Sequence, residues 1–128
     1  MCCPEAAAPA HWIVEGRSGR VGQPKCLSDS ATMMPDSWLE DWGASFEVGV
    51  TCCDSNGVGT RPECWQRVGY ETAKNNCKSK GLFLCTKTQI ENGAGREKGC
   101  TFDDAMIWTS DVCEAGAGVL LGSILVLT

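Results

Sequence analysis

The spacing of apolar positions changes along this chain, and each change marks an element. Tyr70, Ala73 and Cys77 recur at intervals of three and four, with Glu71, Lys74, Asn75 and Lys78 between them. That period predicts a short helix over residues 70–80, laid on a core by one face. Lys78 and Lys80 fall in its last turn, where cations suit the helix dipole, and Gly81 follows as a natural C′ residue. Leu82-Phe83-Leu84-Cys85 is an apolar run too short for a helix and predicts a buried strand. Thr86-Lys87-Thr88-Gln89 matches a capping box, Ile90 anchors the second helix it opens, and Asn92-Gly93 ends that helix.

Elsewhere the period is two. Phe46, Val48 and Val50 alternate within residues 46–53, predicting a central strand, and Asp54-Ser55-Asn56-Gly57 closes it with turn chemistry. DSNG also opens like a calcium loop, but the remaining ligands, the closing Glu above all, are not at the required positions. Residues 11–15 (HWIVE) alternate weakly before Gly16 and predict a first short strand. Residues 16–37 hold Gly16, Gly19, Gly22, Pro24 and Pro35, so a long loop is expected there, with Cys26 as its pin. Asp36 or Ser37 caps a helical turn that sets Trp38 and Trp42 on one face as core fillers. Residues 93–99 form a Gly-rich loop without a phosphate-binding motif. In residues 100–113, Phe102, Met106, Ile107 and Trp108 lie in or beside a late strand. Asp103 and Asp104 share a turn there and read as solvated chain rather than as an acid–base pair.

A chain of 128 residues makes one domain. Its ten cysteines are far more than packing needs and indicate a disulfide framework in an oxidising compartment. The candidates are Cys2, Cys3, Cys26, Cys52, Cys53, Cys64, Cys77, Cys85, Cys100 and Cys113. No CxxC pair occurs and His11 is the single histidine, so the usual zinc spacings are missing and neither metal nor cofactor is expected. The net charge is −5 and the 11 basic residues form no run, which excludes a nucleic-acid footprint.

The pattern Tyr70-Glu71-x-Ala73-Lys74-x-x-Cys77-x-x-x-Gly81-x-x-Leu84-x-Thr86-x-x-Gln89-Ile90 resembles the helix–strand–helix opening of C-type lectin-like and hyaluronan-binding Link modules. Cys100, Asp103 and Trp108 are similar to their closing half. Cys52-Cys53-Asp54, Arg61-Pro62-x-Cys64, Leu84-Cys85-Thr86, Gly99-Cys100-x-Phe102-Asp103 and Trp108-Thr109-Ser110 look like a Cys-rich module that recurs in exported proteins of algae and other protists. The resemblance covers about residues 48–113. It implies an α+β fold: a small, loop-rich, disulfide-stapled C-type-lectin-like domain with two short helices packed on a small, mostly antiparallel sheet. Sugar-binding C-type lectins hold calcium with Glu-Pro-Asn or Gln-Pro-Asp and with Trp-Asn-Asp. Here Gln23-Pro24-Lys25 lies outside the matching region and Trp108-Thr109-Ser110 replaces the second motif, so the calcium and sugar site does not carry over. No basic, aromatic groove recommends hyaluronan.

Spacing alone leaves the disulfide pairing open. The neighbours Cys2/Cys3 and Cys52/Cys53 do not suit bonds within each pair and are expected to fan out to different partners. Cys77 is expected to tie the first helix to a strand, and Cys100 to join a late or central cysteine.

The chain thus divides into an N-terminal arm (residues 1–10), a Cys-rich domain (11–113) and an apolar tail (114–128). MCCPEAAAPA has no basic n-region or apolar h-region, and Ala6 to Ala10 read either as a processing site or as a plain linker. Residues 119–127 are almost wholly apolar but well short of the roughly 20 residues that span a bilayer as a helix. The tail has three readings: a final buried strand, a segment docked on a partner or membrane surface, or a truncated anchor. Its candidate docking residues are Val119, Leu120, Leu121, Ile124, Leu125, Val126 and Leu127.

One histidine and cysteines better used as bridges give no catalytic constellation, so a non-enzymatic structural or protein-interaction module is expected. It would be exported or lumenal (thylakoid lumen or extracellular), without a transmembrane helix. Its partners would be other protein subunits, as for an accessory lumenal subunit docked on a larger membrane complex such as an algal photosystem. The alternative is a secreted or cell-surface carbohydrate-binding module. The functional surface is expected in the arm, the loop pinned by Cys26 and the tail, with residues 70–109 as scaffold.

Overall fold

In the computed structural model, the described residues are 9–16, 24–35, 48–100, 102 and 105–114. The first strand, β1 (Pro9–Glu15), begins two residues before the predicted one. Ala10, His11, Ile13, Val14 and Glu15 are all buried, so both faces of the strand are covered and the alternation in HWIVE is blurred. The strand pairs antiparallel with β2 (Lys25–Ser28) on one side and with β7 (Met106–Glu114) on the other. β3 (Val48–Gly49) runs parallel to β7 and completes a four-stranded sheet of order β2-β1-β7-β3. The register of β1 against β7 slips between His11 and Ile13. At that irregularity the Thr109 hydroxyl donates to the Trp12 carbonyl at 2.8 Å.

The central strand expected over residues 46–53 is broken within its described part, residues 48–53. Val48 and Gly49 belong to the large sheet, whereas β4 (Cys52–Cys53) is the middle strand of a second sheet, between β5 (Gly59–Thr60) and β6 (Phe83–Leu84). Between them the Val50 amide donates to the Trp65 carbonyl, and Gly49 bridges to Gln66. Val48, Val50, Thr51, Cys52 and Cys53 are all buried. A segment with no solvent face has no period to hold it in one sheet, and it hands over from one to the other. Residues 16–37 are likewise not all loop: β2 occupies the free edge of β1, with Leu27 buried and Cys26 bonded to Cys113.

The helices stand where their spacing puts them. α1 (Tyr70–Ser79) buries Tyr70, Ala73 and Cys77. It ends at Lys80, after which Gly81 takes φ +75, the left-handed conformation that suits glycine. α2 (Lys87–Glu91) carries the full capping box: the Gln89 amide donates to Thr86 Oγ1 at 3.0 Å, and the Thr86 amide to Gln89 Oε1 at 2.8 Å. The turn at Asp54 forms as predicted, with Oδ1 accepting from the amides of Asn56 and Val58.

The two faces of the large sheet feed two cores. Ile13 and Trp108, paired in register, pack with Val48, Val50, Leu84 and the α1 residues Ala73 and Cys77. Their neighbours Val14 and Ile107, also paired, pack with Ile90 of α2, Phe102, Cys53 and Cys85. Among the described residues, four disulfides staple this small mixed fold: Cys26–Cys113, Cys52–Cys77, Cys53–Cys85 and Cys64–Cys100. The adjacent Cys52 and Cys53 do diverge, one to α1 and the other to the residue before the α2 cap. Bonds of this number indicate an oxidising environment.

Candidate functional site

A groove of about 570 Å³ runs along β6, within the size range of small-ligand pockets. One wall is α1, which sets Tyr70, Lys74 and Lys78 on a single line at intervals of four. The floor is Leu82, Phe83 and Leu84, and the opposite wall is the turn at Cys53, Asp54 and Ser55. Thr86, Gln89 and Ser110 complete the lining. Phe83 departs from its expected burial: it is 63% exposed. β6 lies at one edge of its sheet and alternates, so Leu84 turns inward, 5% exposed, and Phe83 outward. A four-residue apolar run cannot show which of its faces will be covered.

The charge along the groove is mostly basic. Lys74 lies 4.0 Å from Glu71 and both are well exposed, so the pair is weak. Lys78 stands one turn further on, with Asp54 on the other wall.

Tyr70 joins the groove to the interior. Its ring stacks on His11 with centroids 3.5 Å apart, and meets Trp108 edge-on at 5.7 Å. His11 Nδ1 is 2.7 Å from Asp29 Oδ1, the Tyr70 amide donates to the Asp29 carbonyl, and Trp108 Nε1 donates to the Val68 carbonyl. Burial, and after it the charges of Asp29, Glu71 and Asp111, push the Tyr70 phenol above its usual pKa. The Asp29–His11 pair has the form of half a catalytic triad. All eight described cysteines are in disulfides, and the pair links β1 to the residue after β2, whose carbonyl in turn accepts from the first amide of α1.

Sequence reasoning missed a second buried centre. Arg61 is 6% exposed. Its guanidinium donates to Thr51 Oγ1 at 3.1 Å, the Gly99 carbonyl at 3.2 Å and the Gly16 carbonyl at 2.9 Å, and lies 5.8 Å from the Phe102 ring centroid. Those partners come from residues 16, 51, 99 and 102, so no local pattern could have found the cluster.

The eight cysteines from Cys26 to Cys113 are brought together in pairs. Cys2, Cys3, Trp38, Trp42, Phe46, Asp103, Asp104 and the docking candidates Val119, Leu120, Leu121, Ile124, Leu125, Val126 and Leu127 lie outside the described residues. Among the described residues, no group of three or more His, Cys, Asp or Glu side chains is placed to hold a metal, and no helix is long and apolar enough to cross a membrane. No protein-family model matches the chain, and no curated protein or solved structure matches it.

Proposed function

We propose that this chain is a non-enzymatic protein-interaction module of an oxidising compartment, a C-type-lectin-like scaffold that docks through the groove between α1 and β6. Phe83 carries the reading. It is the exposed aromatic of a groove whose other apolar floor residues are covered or partly covered, and it lies between two lysines and a disulfide-braced turn. Aromatic side chains set in a braced pocket are the usual anchors of protein interfaces. The basic wall favours an acidic segment of the partner, its apolar side chain on Phe83 and its carboxylates toward Lys74 and Lys78. The resemblance to exported algal modules extends this to an accessory lumenal subunit on a membrane complex such as a photosystem, with the apolar tail as a further contact.

The test is sedimentation of gently solubilised membranes from cells expressing the tagged chain. The wild type is expected to travel with a large assembly, and the double variant Phe83→Ser, Lys78→Glu to fall to the monomer position with its disulfides intact. A wild type that travels alone, or a double variant that still co-migrates, would sink the reading. A glycan-binding module is the second reading, favoured by the same exposed ring beside the Gln89 amide and Asp54 carboxylate. A glycan array with and without calcium separates the two, because glycan binding that is lost in Phe83→Ser would assign the groove to sugars.

A further inference from the structure

The four disulfides among the described residues differ in surroundings. Cys52–Cys77 and Cys53–Cys85 are sealed, with every sulfur-bearing residue at 0–1% exposure. Cys26–Cys113 spans from β2 to β7 across β1, with Cys26 partly exposed and Cys113 8% exposed, but both ends are held in the large sheet. In Cys64–Cys100, by contrast, Cys64 is exposed and Cys100 partly exposed. Neither end is in a helix interior or a strand ladder. Cys64 closes the 3₁₀ turn Pro62–Cys64, and Cys100 ends a run of turns that follows α2.

We infer that Cys64–Cys100 is a thiol–disulfide exchange site, open to a dithiol protein while the other three bonds stay closed. Exchange needs room behind the attacked sulfur and a good leaving thiolate. Cys64 offers the room. Cys100, the less exposed of the two and with its Sγ 3.5 Å from the Arg61 carbonyl oxygen, is the sulfur that leaves. The carboxylate next to the attacked sulfur, Glu63, is paired with Lys80, so it repels an incoming thiolate less. Glu97 is the other acid of the run.

The backbone favours opening as well. Glu63, Cys64 and Cys100 have φ of 58, 48 and 65, a left-handed conformation that L side chains disfavour. Breaking the bond lets both ends relax without cutting any sheet pairing. The step balances as an ordinary exchange. A partner thiolate attacks Cys64 Sγ, the Cys64–Cys100 bond breaks, and its electron pair leaves on Cys100, which takes a proton from water. The partner's second thiol then displaces Cys64 from the mixed disulfide. The partner's dithiol is oxidised to a disulfide and Cys64 and Cys100 are reduced to thiols. The site is independent of the groove, whose frame is held by the two sealed bonds.

The experiment exposes the native, oxidised full chain to dithiothreitol for increasing times, blocks free thiols with a maleimide and maps the labelled peptides. Cys64 and Cys100 are expected to label roughly tenfold or more faster than Cys52, Cys53, Cys77 and Cys85, since access to the attacked sulfur governs the rate. Circular dichroism should stay native at that stage. All four bonds opening together, Cys26–Cys113 opening first, or no labelling short of unfolding would each overturn the inference. Glutathione, with a single thiol, tests the direction of attack. A mixed disulfide on Cys64 is expected, and one on Cys100 would overturn that direction. A Cys64→Ser, Cys100→Ser variant should fold, and should lose the fast labelling phase entirely.

Discussion

Arg61→Ala is the most demanding single test of the fold. The residue is 6% exposed and donates to three acceptors drawn from distant parts of the chain, Thr51 Oγ1, the Gly99 carbonyl and the Gly16 carbonyl. Hydrogen bonds to a charged donor are worth about 1.5–3 kcal/mol each, and an acceptor left buried without a donor costs a comparable amount. The three share one guanidinium, so they do not add, and water entering the vacated space would recover part of the loss. The change takes the charge away with the side chain and leaves neutral acceptors, each costing about 1–3 kcal/mol where water does not reach it, against the roughly 5–15 kcal/mol that holds a domain together. Arg61→Ala is therefore expected to lower stability by about 3 kcal/mol. Arg61→Lys keeps the charge but replaces a rigid fork with one point donor, and should still cost about 2 kcal/mol. The assay is urea unfolding in non-reducing buffer, followed by tryptophan fluorescence, with the slope checked for constancy. Combining Thr51→Val with Arg61→Ala should show a coupling of about 1 kcal/mol, because the two side chains share a hydrogen bond that either change removes. An Arg61→Ala variant within about 1 kcal/mol of wild type would refute the cluster's role, against the losses expected for a buried network. An Arg61→Lys variant as stable as wild type would refute the argument from the fork.

Tyr70 is the single tyrosine, so tyrosinate absorbance reports it alone. Its folded pKa lies above the ordinary value of 10.0, so the folded chain keeps a proton that the unfolded chain loses. Stability from this group is fully present below pH 10.0 and is lost as pH rises from there through the folded midpoint. Tyr70→Phe should remove that part of the alkaline slope, and a folded midpoint at or below 10.0 would contradict the burial that raises it. Thr86→Ala removes one half of the capping box and should cost about 1 kcal/mol, with Thr86→Ser recovering most of it. Equal stability of Thr86→Ala and wild type in urea would show that α2 is held by Ile90 alone.

What could be read in the sequence was local. The stripe of Tyr70, Ala73 and Cys77, the Thr86–Gln89 box and the Asp54 turn depend on neighbours within a few residues, and all three form. What could not be read depended on distant partners. Residues 46–53 alternate like one strand, yet every position from Val50 to Cys53 is buried, and only tertiary pairing decides which residues join which sheet. The stacking of His11 on Tyr70 joins the first strand to a helix far along the chain, as hidden from a sequence reader as the acceptors of Arg61. The Cys-Cys pair was legible as a divergence but not as a pairing.

That divergence explains why the groove lies largely along the stretch expected to be scaffold alone. Successive residues of a strand point to opposite faces. Cys52 therefore reaches α1 through Cys77, while Cys53 turns the other way to Cys85, the residue before the α2 cap. Two adjacent residues thus fix both helices relative to β4 and β6. The walls of the groove, Tyr70, Lys74 and Lys78 on α1 and Thr86 and Gln89 at α2, are held by covalent bonds that start from neighbouring residues of β4. A partner docking on Phe83 would order little of this surface, and a surface already ordered loses less entropy on binding. The stapling that builds the domain and the rigidity that would suit an interface are one feature of the sequence, the dipeptide Cys52-Cys53.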